Sequence, residues 1–340
     1  MTEHVALEVA ALAVVGLGLT LYVLLGGADF GGGVWDLLAS GPSRDRQRAL
    51  ISEAIAPVWE ANHVWLIFVL VGILAAFPPV FSALGVALYL PFTLALVGIV
   101  FRGSAFVFRS HADGATGWEH AWTRVFGVAS LVTPFVLGAA GAAIATGRIR
   151  VRSGEVEAAL LSSWLGPLSV VAGALTLVMC AFLAATYLTV EAAARENAEL
   201  EDHFRRRALG AGIVAGALAA LGLVAVRVDA PVLWDGMLDN GWPFVALSAL
   251  AGLGSLAAIY RRRYLWARVA AALAVASVLW GWAVAQWPYL IVPDVTAAEA
   301  AAPKAALRAV VIGFAAGGAL LAPSLWLLFR VFKASRAMPR

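Results

Sequence analysis

Long apolar runs separated by short polar loops set the pattern of this sequence. Nine of them approach or exceed the roughly 20 apolar residues that a helix needs to cross a bilayer. They predict transmembrane helices at about residues 6–28, 54–77, 79–101, 121–145, 164–190, 208–226, 242–260, 266–287 and 308–332. A proline pair, Pro78–Pro79, predicts a tight break between the second and third. The pattern indicates an all-α polytopic membrane protein with no soluble domain.

The composition agrees with this class. Of 340 residues, 62% are hydrophobic and 13% charged, against about a quarter charged in soluble proteins. The net charge of +3 sits in loops between apolar runs, so it is a topology signal and implies no nucleic-acid partner. The first apolar stretch has no preceding Lys or Arg, which favours a retained span over a cleaved signal. The lone cysteine, Cys180, excludes an internal disulfide.

The distribution of Lys and Arg predicts the orientation. Odd-numbered loops and the C-terminal tail hold 18 of these residues, and the other side holds 6. Because positive residues mark the cytoplasmic side, we expect the N-terminus outside and the C-terminus inside. Between the spans, residues 191–208 are charged and rich in helix formers, which predicts a solvated extension of the fifth span. The segment WPYLIVPDVT (287–296) predicts an aromatic interfacial belt with a turn, or a functional surface.

A carboxylate and a histidine interrupt the second apolar run. Glu60 falls about six residues into the predicted span, or ~9 Å at 1.5 Å per residue, and His63 shares its helix face. An ionisable residue at such a position normally faces a partner or a water path rather than lipid. The pair fits proton transfer, but a neutral Glu60 bonded to a neighbouring helix fits the pattern as well. Asn62 and Trp65 point to other sides, which predicts that protein surrounds this helix.

The first predicted span ends in GGADFGGGVWDLL, in which five glycines surround Asp29 and Phe30. Glycines permit close helix approach, so this segment predicts an unusual packing at the cytoplasmic membrane edge. Asp29 is there either a solvated or helix-capping residue, or part of an entrance toward Glu60. The third span ends in FRGSAFVFR, which puts Arg102 at the same edge. Arg102 is a counter-charge for Asp29, Asp36 or Glu60, or an anchor to the cytoplasmic surface.

Potential haem ligands are scarce. His63 is the one histidine inside a predicted span and Met179 the one methionine, so this chain cannot supply paired axial ligands to several haems. The sequence contains no phosphate-binding loop, zinc spacing or nucleophile elbow. The chain is therefore expected to bind no cofactor or metal by itself.

Several segments together resemble subunit II of the cytochrome bd-type quinol oxidases. They are GGADFGGGVWDLL, IAPVWEANHVWLI, AAFPPVF, FRGSAFVFRS, ATYLTVEA and WPYLIVPDVT, in the order of that family. The resemblance covers essentially the whole chain, and WEANHVWLI is its most specific part. The EANH version resembles the branch often described as cyanide-insensitive.

The resemblance implies a fold and a partner. The fold is two four-helix bundles plus one further helix, here residues 1–145, 164–287 and 308–332 of a single membrane domain. The partner is a similarly folded subunit I, which carries haem b, haem d and the quinol site, and small single-span subunits can join them. The complex oxidises ubiquinol or menaquinol and reduces dioxygen to water in the bacterial cytoplasmic membrane, taking protons from the cytoplasm.

The resemblance also implies residue roles. Glu60 matches an acidic position on the proton path toward haem d, and Asp29 matches an acidic residue near its entrance. His63, which shares a helix face with Glu60, is predicted to belong to the same proton path. Trp65 matches a tryptophan associated with dioxygen access, and Arg102 an arginine with a structural role. The family has Asp at the Glu60 position in some members, and His63 is not universal in it.

The alternative function is a secondary transporter or channel with Glu60 as its coupling carboxylate. Such proteins often contain inverted repeats with interrupted helices near the bilayer midplane. The predicted position of the glycines, at a membrane edge, counts against it.

Overall fold

The structure is a computed structural model that describes residues 3–55, 59–110 and 116–334. The side chains of residues 59–61, 109–110 and 116–119 and of several residues from 322 onward lie outside the described part. The first half contains the helices α1 (Glu3–Leu37), α2 (Arg44–Ile55), α3 (Trp59–Ala76), α4 (Pro78–Ala87), α5 (Tyr89–Ser110) and α6 (Thr116–Ala143).

Two short hairpins and eight more helical elements, seven α-helices and one π-helical turn, form the rest of the described chain. They are β1 (Arg150–Arg152), β2 (Glu155–Glu157), α7 (Pro167–Ala194), α8 (Ala198–Asp229), α9 (Pro231–Gly236), a π-helical turn (Met237–Gly241), α10 (Trp242–Tyr260), α11 (Tyr264–Gln286), β3 (Tyr289–Ile291), β4 (Val295–Thr296), α12 (Ala297–Ala300) and α13 (Lys304–Ala334). Both hairpins are antiparallel. The segment 287–296 therefore forms a β-hairpin.

The helices match a multi-pass membrane protein. Within the described residues, eight helices are long and apolar enough to cross a bilayer. A ninth candidate is the pair Asn62–Ala76 and Pro78–Ala87, bent by 118°. The helices α7 and α8 pack along each other, as do α5 with α6 and α10 with α11, while α1 packs against α3, α6 and α7. The division into two four-helix bundles and the orientation in the membrane stay predictions.

The first predicted span is too short. Helix α1 continues from Glu3 to Leu37, whereas the apolar run predicted an end near residue 28. Each interior glycine lowers helix stability by about 1 kcal/mol relative to alanine. Within a membrane, however, an unfolded segment would leave its backbone groups without water, so the helix continues through the glycines. Asp29 thus lies eight residues, ~12 Å, before the helix end.

The third predicted span, 79–101, is also wrong. The prolines are the first two residues of the separate helix α4, and their missing N–H groups are no loss at a helix start. The chain then enters α5 at Tyr89 and stays helical to Ser110. Arg102 therefore lies within the helix, eight residues before its end, and not at the cytoplasmic end of the span.

The predicted start of the second span, residue 54, is next to residues 56–58, which lie outside the described part; α2 is described to Ile55 and α3 from Trp59. The predicted extension of the fifth span over residues 191–208 is wrong, because α7 ends at Ala194. Asn197 caps a new helix by accepting a hydrogen bond from the Leu200 N–H, so most of that segment is the start of α8.

Candidate functional site

A buried ion pair joins the first and fifth helices. Arg102 donates from Nη1 to Asp29 Oδ2 at 2.7 Å and from Nη2 to Asp29 Oδ1 at 2.6 Å. Nη2 also donates to the Asp29 carbonyl at 2.9 Å. Both residues are 3% exposed. This is the two-pronged arrangement in which a guanidinium and a carboxylate match best.

The sixth helix completes the surroundings of this ion pair. Arg102 Nε donates to Ser130 Oγ at 3.0 Å, and Ser130 Oγ donates to the Phe126 carbonyl at 2.7 Å. The rings of Phe30 and Phe126 lie on the guanidinium, with centres 4.9 and 4.8 Å from Arg102 Cζ. Guanidinium groups are stabilised over aromatic faces, and here the rings also exclude water. The ion pair is therefore shielded from water, and its hydrogen bonds are made within this chain.

The glycine run places α1 close enough to its neighbours for this contact. A Cβ atom added to Gly31 would lie 1.9 Å from the Cys180 carbonyl oxygen of α7. A Cβ added to Gly33 would lie 2.0 Å from Ser130 Oγ of α6. Both distances are far below contact distance, so only glycine fits at these positions. The glycines thus serve helix packing inside the span.

Helix α3 packs against α1 and contacts it near its N-terminal end through Asn62. Asn62 Nδ2 donates to the Leu25 carbonyl of α1 at 3.4 Å, and Asn62 is 2% exposed. Trp65 is buried in a cluster with Tyr22, Phe30 and Cys180. The Asn62–Leu25 contact fixes how the two antiparallel helices are aligned along their axes. Measured along these axes, position 60 lies within about one helical turn of Asp29.

The other side of α3 is not covered by the described part of this chain. Ile67, Leu70 and Leu74 are 59%, 46% and 49% exposed. They form a row at i, i+3 and i+7, which is one face of a helix, and the partly buried His63 lies one turn before Ile67 on the same side. We call this face the open face of α3. Position 60, three residues before His63, belongs to the same face. The expectation that protein surrounds α3 is therefore met on one side only by the residues that the structure describes.

The predicted site residues thus fall into two groups. Asp29 and Arg102 meet, whereas His63 and position 60 lie at a similar level but on the open face of α3. The side chain of Glu60 lies outside the described residues. Asp29 is neither solvated nor a helix cap, and Arg102 is not a surface anchor. Within the described residues, no three His, Cys, Asp or Glu side chains form a group that could hold a metal ion.

Residue-pattern reasoning missed the partners that complete the ion pair. Ser130 and Phe126 lie in an apolar run of α6, where a single serine gives little signal. A second missed group is at the other end of α1, where Glu8 is 2% exposed and lies 3.2 Å from His4 Nε2. Its signal was visible, because the two residues are four apart on a helix.

Two ion pairs hold the opposite end of the molecule. Arg150 donates from Nε and Nη2 to Asp294 at 2.7 and 2.8 Å, and the Val151 N–H donates to the same carboxylate at 2.9 Å. These contacts tie the two hairpins together. The Arg150 guanidinium holds the pKa of Asp294 below the usual aspartate range. Nearby, Arg148 pairs with Asp229, which accepts from the Leu168 N–H at the start of α7.

The fold and the buried ion pair define a polytopic helical membrane protein with a charged group sealed among its first helices. The family model for cytochrome bd terminal oxidase subunit II matches residues 7–332, so the chain belongs to that family. This membership does not favour the transporter or channel alternative.

Named relatives agree with this assignment. Cytochrome bd ubiquinol oxidase subunit 2 of Bacillus subtilis is 35% identical over 117 residues, which is 34% of each chain. Cytochrome bd-I ubiquinol oxidase subunit 2 of Escherichia coli is 30% identical over 41% of this chain and 36% of the relative. These alignments span about a third of each relative. A chain in the structure of bd oxidase from Geobacillus thermodenitrificans matches with a TM-score of 0.76 and 25% identity, over 96% of this chain and 98% of that one.

Proposed function

We propose that this chain is the non-haem subunit of a quinol oxidase that oxidises ubiquinol or menaquinol and reduces dioxygen to water. It pairs with a haem-bearing subunit I in the bacterial cytoplasmic membrane, with its N-terminus outside and small single-span subunits as further partners. Haem b and haem d in that partner supply the electron transfer and the dioxygen chemistry.

The open face of α3 is the observation that carries the proposal. A glutamate facing lipid costs several kcal/mol, so such residues face protein or water. Position 60 and His63 share their face with exposed Ile67, Leu70 and Leu74. A partner that covers this face shields the apolar row and brings its own groups to Glu60 and His63. The two residues then pass protons from the cytoplasmic side into the partner, because a carboxyl group and an imidazole can each accept and release a proton.

Asp29 supports this proton path through its ion pair with Arg102. Both of its carboxylate oxygens accept hydrogen bonds from Arg102. We therefore assign to the Asp29–Arg102 pair the role of fixing α1 against α5 and α6 at the level where Glu60 accepts its proton.

Trp65 borders the apolar route that we propose for dioxygen. It is 9% exposed and stands edge-on to Phe68, with ring centres 5.8 Å apart. Its position three residues from Asn62 puts it on the covered side of α3, away from the proton-carrying face. Protons and dioxygen thereby use different sides of one helix.

Glu60→Gln in the complete complex tests the proton path. The chain is expressed with its partner subunit, and the complex is purified and assayed for haem content and quinol-dependent oxygen uptake. We expect the variant to assemble with full haem content and to reduce dioxygen at least tenfold more slowly, which is within the range for a lost proton-transfer group. Glu53→Gln is the matched control, because this exposed carboxylate lies on the preceding helix α2 and pairs with Arg195.

The outcomes separate the hypotheses. Normal turnover of Glu60→Gln with intact haem removes Glu60 from the proton path. Failure of the variant to assemble makes Glu60 a structural residue. A wild-type complex without haem or without quinol-dependent oxygen uptake contradicts the oxidase function itself.

Trp65→Ala tests the dioxygen route. We expect the apparent affinity for dioxygen to change while that for quinol stays within twofold. Phe68→Ala is the control, because it opens a similar space one turn away in contact with Phe314. A change in quinol affinity alone contradicts the assignment.

A further inference from the structure

Three consecutive arginines form the turn between α10 and α11. The middle one, Arg262, has a left-handed backbone with φ of 57°. Its side chain points toward α8, where Nη1 donates to Glu201 Oε1 at 2.7 Å and Nη2 lies 3.8 Å from Asp202 Oδ1. The left-handed backbone of Arg262 thus directs its side chain to one side of the turn, away from the side chains of Arg261 and Arg263.

Arg261 and Arg263 line a groove at this end of the helices. Its volume is about 240 Å³, and its wall is formed by Gly254, Ala257, Ala258, Arg261, Arg263 and Trp266. Neither arginine has a side-chain hydrogen bond or ion pair within the described part of the chain. The nearby carboxylates of Glu201 and Asp202 are engaged by Arg262, Tyr264, Arg205 and Arg206. The groove therefore carries two uncompensated positive charges.

The surroundings of the groove are those of a membrane surface. Leu250 and Leu253, further along α10, are 69% and 65% exposed, and Leu265 is 62% exposed. Tyr260 and Trp266 are 70% and 67% exposed beside the arginines. Aromatic residues of this kind collect at the level of lipid headgroups, whereas exposed leucines lie against acyl chains. The small residues between them leave room for a chain to lie on α10, since a Cβ at Gly254 meets nothing within 4 Å.

We propose that this groove binds an anionic phospholipid. The guanidinium groups of Arg261 and Arg263 hold the headgroup phosphate, because charged hydrogen bonds from arginine suit phosphate oxygens. Trp266 packs at the level of the glycerol, and one acyl chain lies along Gly254, Ala257 and Ala258. The groove is smaller than the roughly 300–1,000 Å³ of pockets that enclose a whole ligand, so the remainder of the lipid stays in the bilayer.

Native mass spectrometry of the intact, purified complex tests this site. The complex is stripped of loosely bound lipid and titrated with phosphatidylglycerol or with zwitterionic phosphatidylcholine. We expect one phosphatidylglycerol to bind preferentially in the wild type. The double variant Arg261→Gln with Arg263→Gln should bind it about 30-fold more weakly, since each arginine near an anionic surface contributes roughly a fivefold gain. Binding of phosphatidylcholine should stay the same in both.

Arg262→Gln is the matched control, since it removes the same charge from the same turn but from the side that faces Glu201. We expect it to leave phosphatidylglycerol binding within twofold. Equal binding of the two lipids to the wild type, or unchanged binding in the double variant, overturns the proposal. An equal loss in Arg262→Gln also overturns it, because net charge alone then explains the binding. Displacement of phosphatidylglycerol by millimolar inorganic phosphate identifies a free anion site and contradicts a lipid site. The measurement needs no oxidase activity.

Discussion

Two arginine–aspartate pairs, each with two hydrogen bonds between guanidinium and carboxylate, lie in different parts of this molecule. Arg102 binds both carboxylate oxygens of Asp29, and Arg150 binds both carboxylate oxygens of Asp294. The first pair is 3–4% exposed at the side chains, whereas the second is 35% and 13% exposed. One joins three helices inside the apolar part of the fold, and the other joins two hairpins outside it.

The difference shows that environment decides what such a pair does. Near the surface, water competes for both charges and salt screens them, so pairs of this kind contribute up to about 1 kcal/mol. Inside, removal of one partner leaves a charge that nothing else can satisfy, which costs about 3–5 kcal/mol. The inner pair therefore enforces one arrangement of α1, α5 and α6, and the outer pair only reinforces an arrangement that packing already sets.

Removal of Arg102 should have the largest effect. Arg102→Met leaves the buried Asp29 carboxylate without the hydrogen bonds and the counter-charge of Arg102, and we expect a loss of about 3–5 kcal/mol in stability, seen as a strongly reduced yield of assembled complex. The double variant Asp29→Asn with Arg102→Met removes both charges and should recover more than half of the yield. The measurement is haem content per membrane protein, with the temperature of half-inactivation of whatever assembles.

Arg150→Met is the comparison for this experiment, because it removes the two hydrogen bonds from a guanidinium to a carboxylate in the more exposed Arg150–Asp294 pair. Its yield should stay near that of the wild type. If the double variant is as damaged as Arg102→Met, then buried charge does not explain the loss, and the comparison of the two pairs fails.

The second largest loss of stability is expected when the close packing of α1 against α7 is disturbed. In Gly31→Ala the new methyl group would lie 1.9 Å from the Cys180 carbonyl oxygen and 2.7 Å from Ala184 Cβ. Backbone cannot yield as a side chain can, so the helices must separate, at a cost of about 1–3 kcal/mol. We expect a lower temperature of half-inactivation of the complex.

Gly27→Ala is the control in the same helix. Its new methyl group meets Cys180 Sγ and Leu183 Cδ1 at 3.4 Å, which is ordinary contact. A helix that gains alanine for glycine is intrinsically more stable, so this variant should be neutral or slightly stabilised. Equal damage in both variants would show that the glycines serve backbone flexibility and not close approach.

The sequence was informative about which residues matter and less so about their depth. The pattern named Asp29 and Arg102 as candidates for one pair, and it left Asp36 and Glu60 open as other partners. It put both residues at a membrane edge, because glycines and an arginine resemble the end of a span. The close contacts at Gly31 and Gly33 are made with α7 and α6, and such distant neighbours leave no local signal. Because the glycines lie inside helix α1, their position does not count against a transporter, whereas the family membership does not favour one.

Other features were readable in principle. Asn197 followed by a helix-forming segment is a helix start, and Pro78–Pro79 at the first positions of a helix is another. The long apolar run beside Pro78–Pro79 and the long charged run around Asn197 instead favoured one continuous helix in each case. The open face of α3 was not readable, because only the fold shows that α1 covers Asn62 and Trp65 and leaves Ile67, Leu70 and Leu74 bare.

Loss of the Arg150–Asp294 pair should have the smallest effect on stability, and this effect should depend on pH. Since Arg150 lowers the pKa of Asp294 in the folded protein, the unfolded chain binds a proton more readily at this residue. The contribution to stability is complete above the usual aspartate pKa, about 4, and is lost as the pH falls through the lower folded value. Asp294→Asn lacks this titration.

We therefore expect Asp294→Asn to lower the stability of the complex by no more than about 1 kcal/mol at neutral pH. The deficit should shrink as the pH falls from about 4 toward the lower folded pKa of Asp294, because the unfolded wild-type chain then takes up a proton at this residue. The measurement is the temperature of half-inactivation from pH 3 to pH 7, at low and high salt. Salt should reduce the difference between variant and wild type at neutral pH, because the pair is partly exposed. A deficit of several kcal/mol that ignores salt would place Asp294 in the same class as Asp29, and burial would then not be what separates the two pairs.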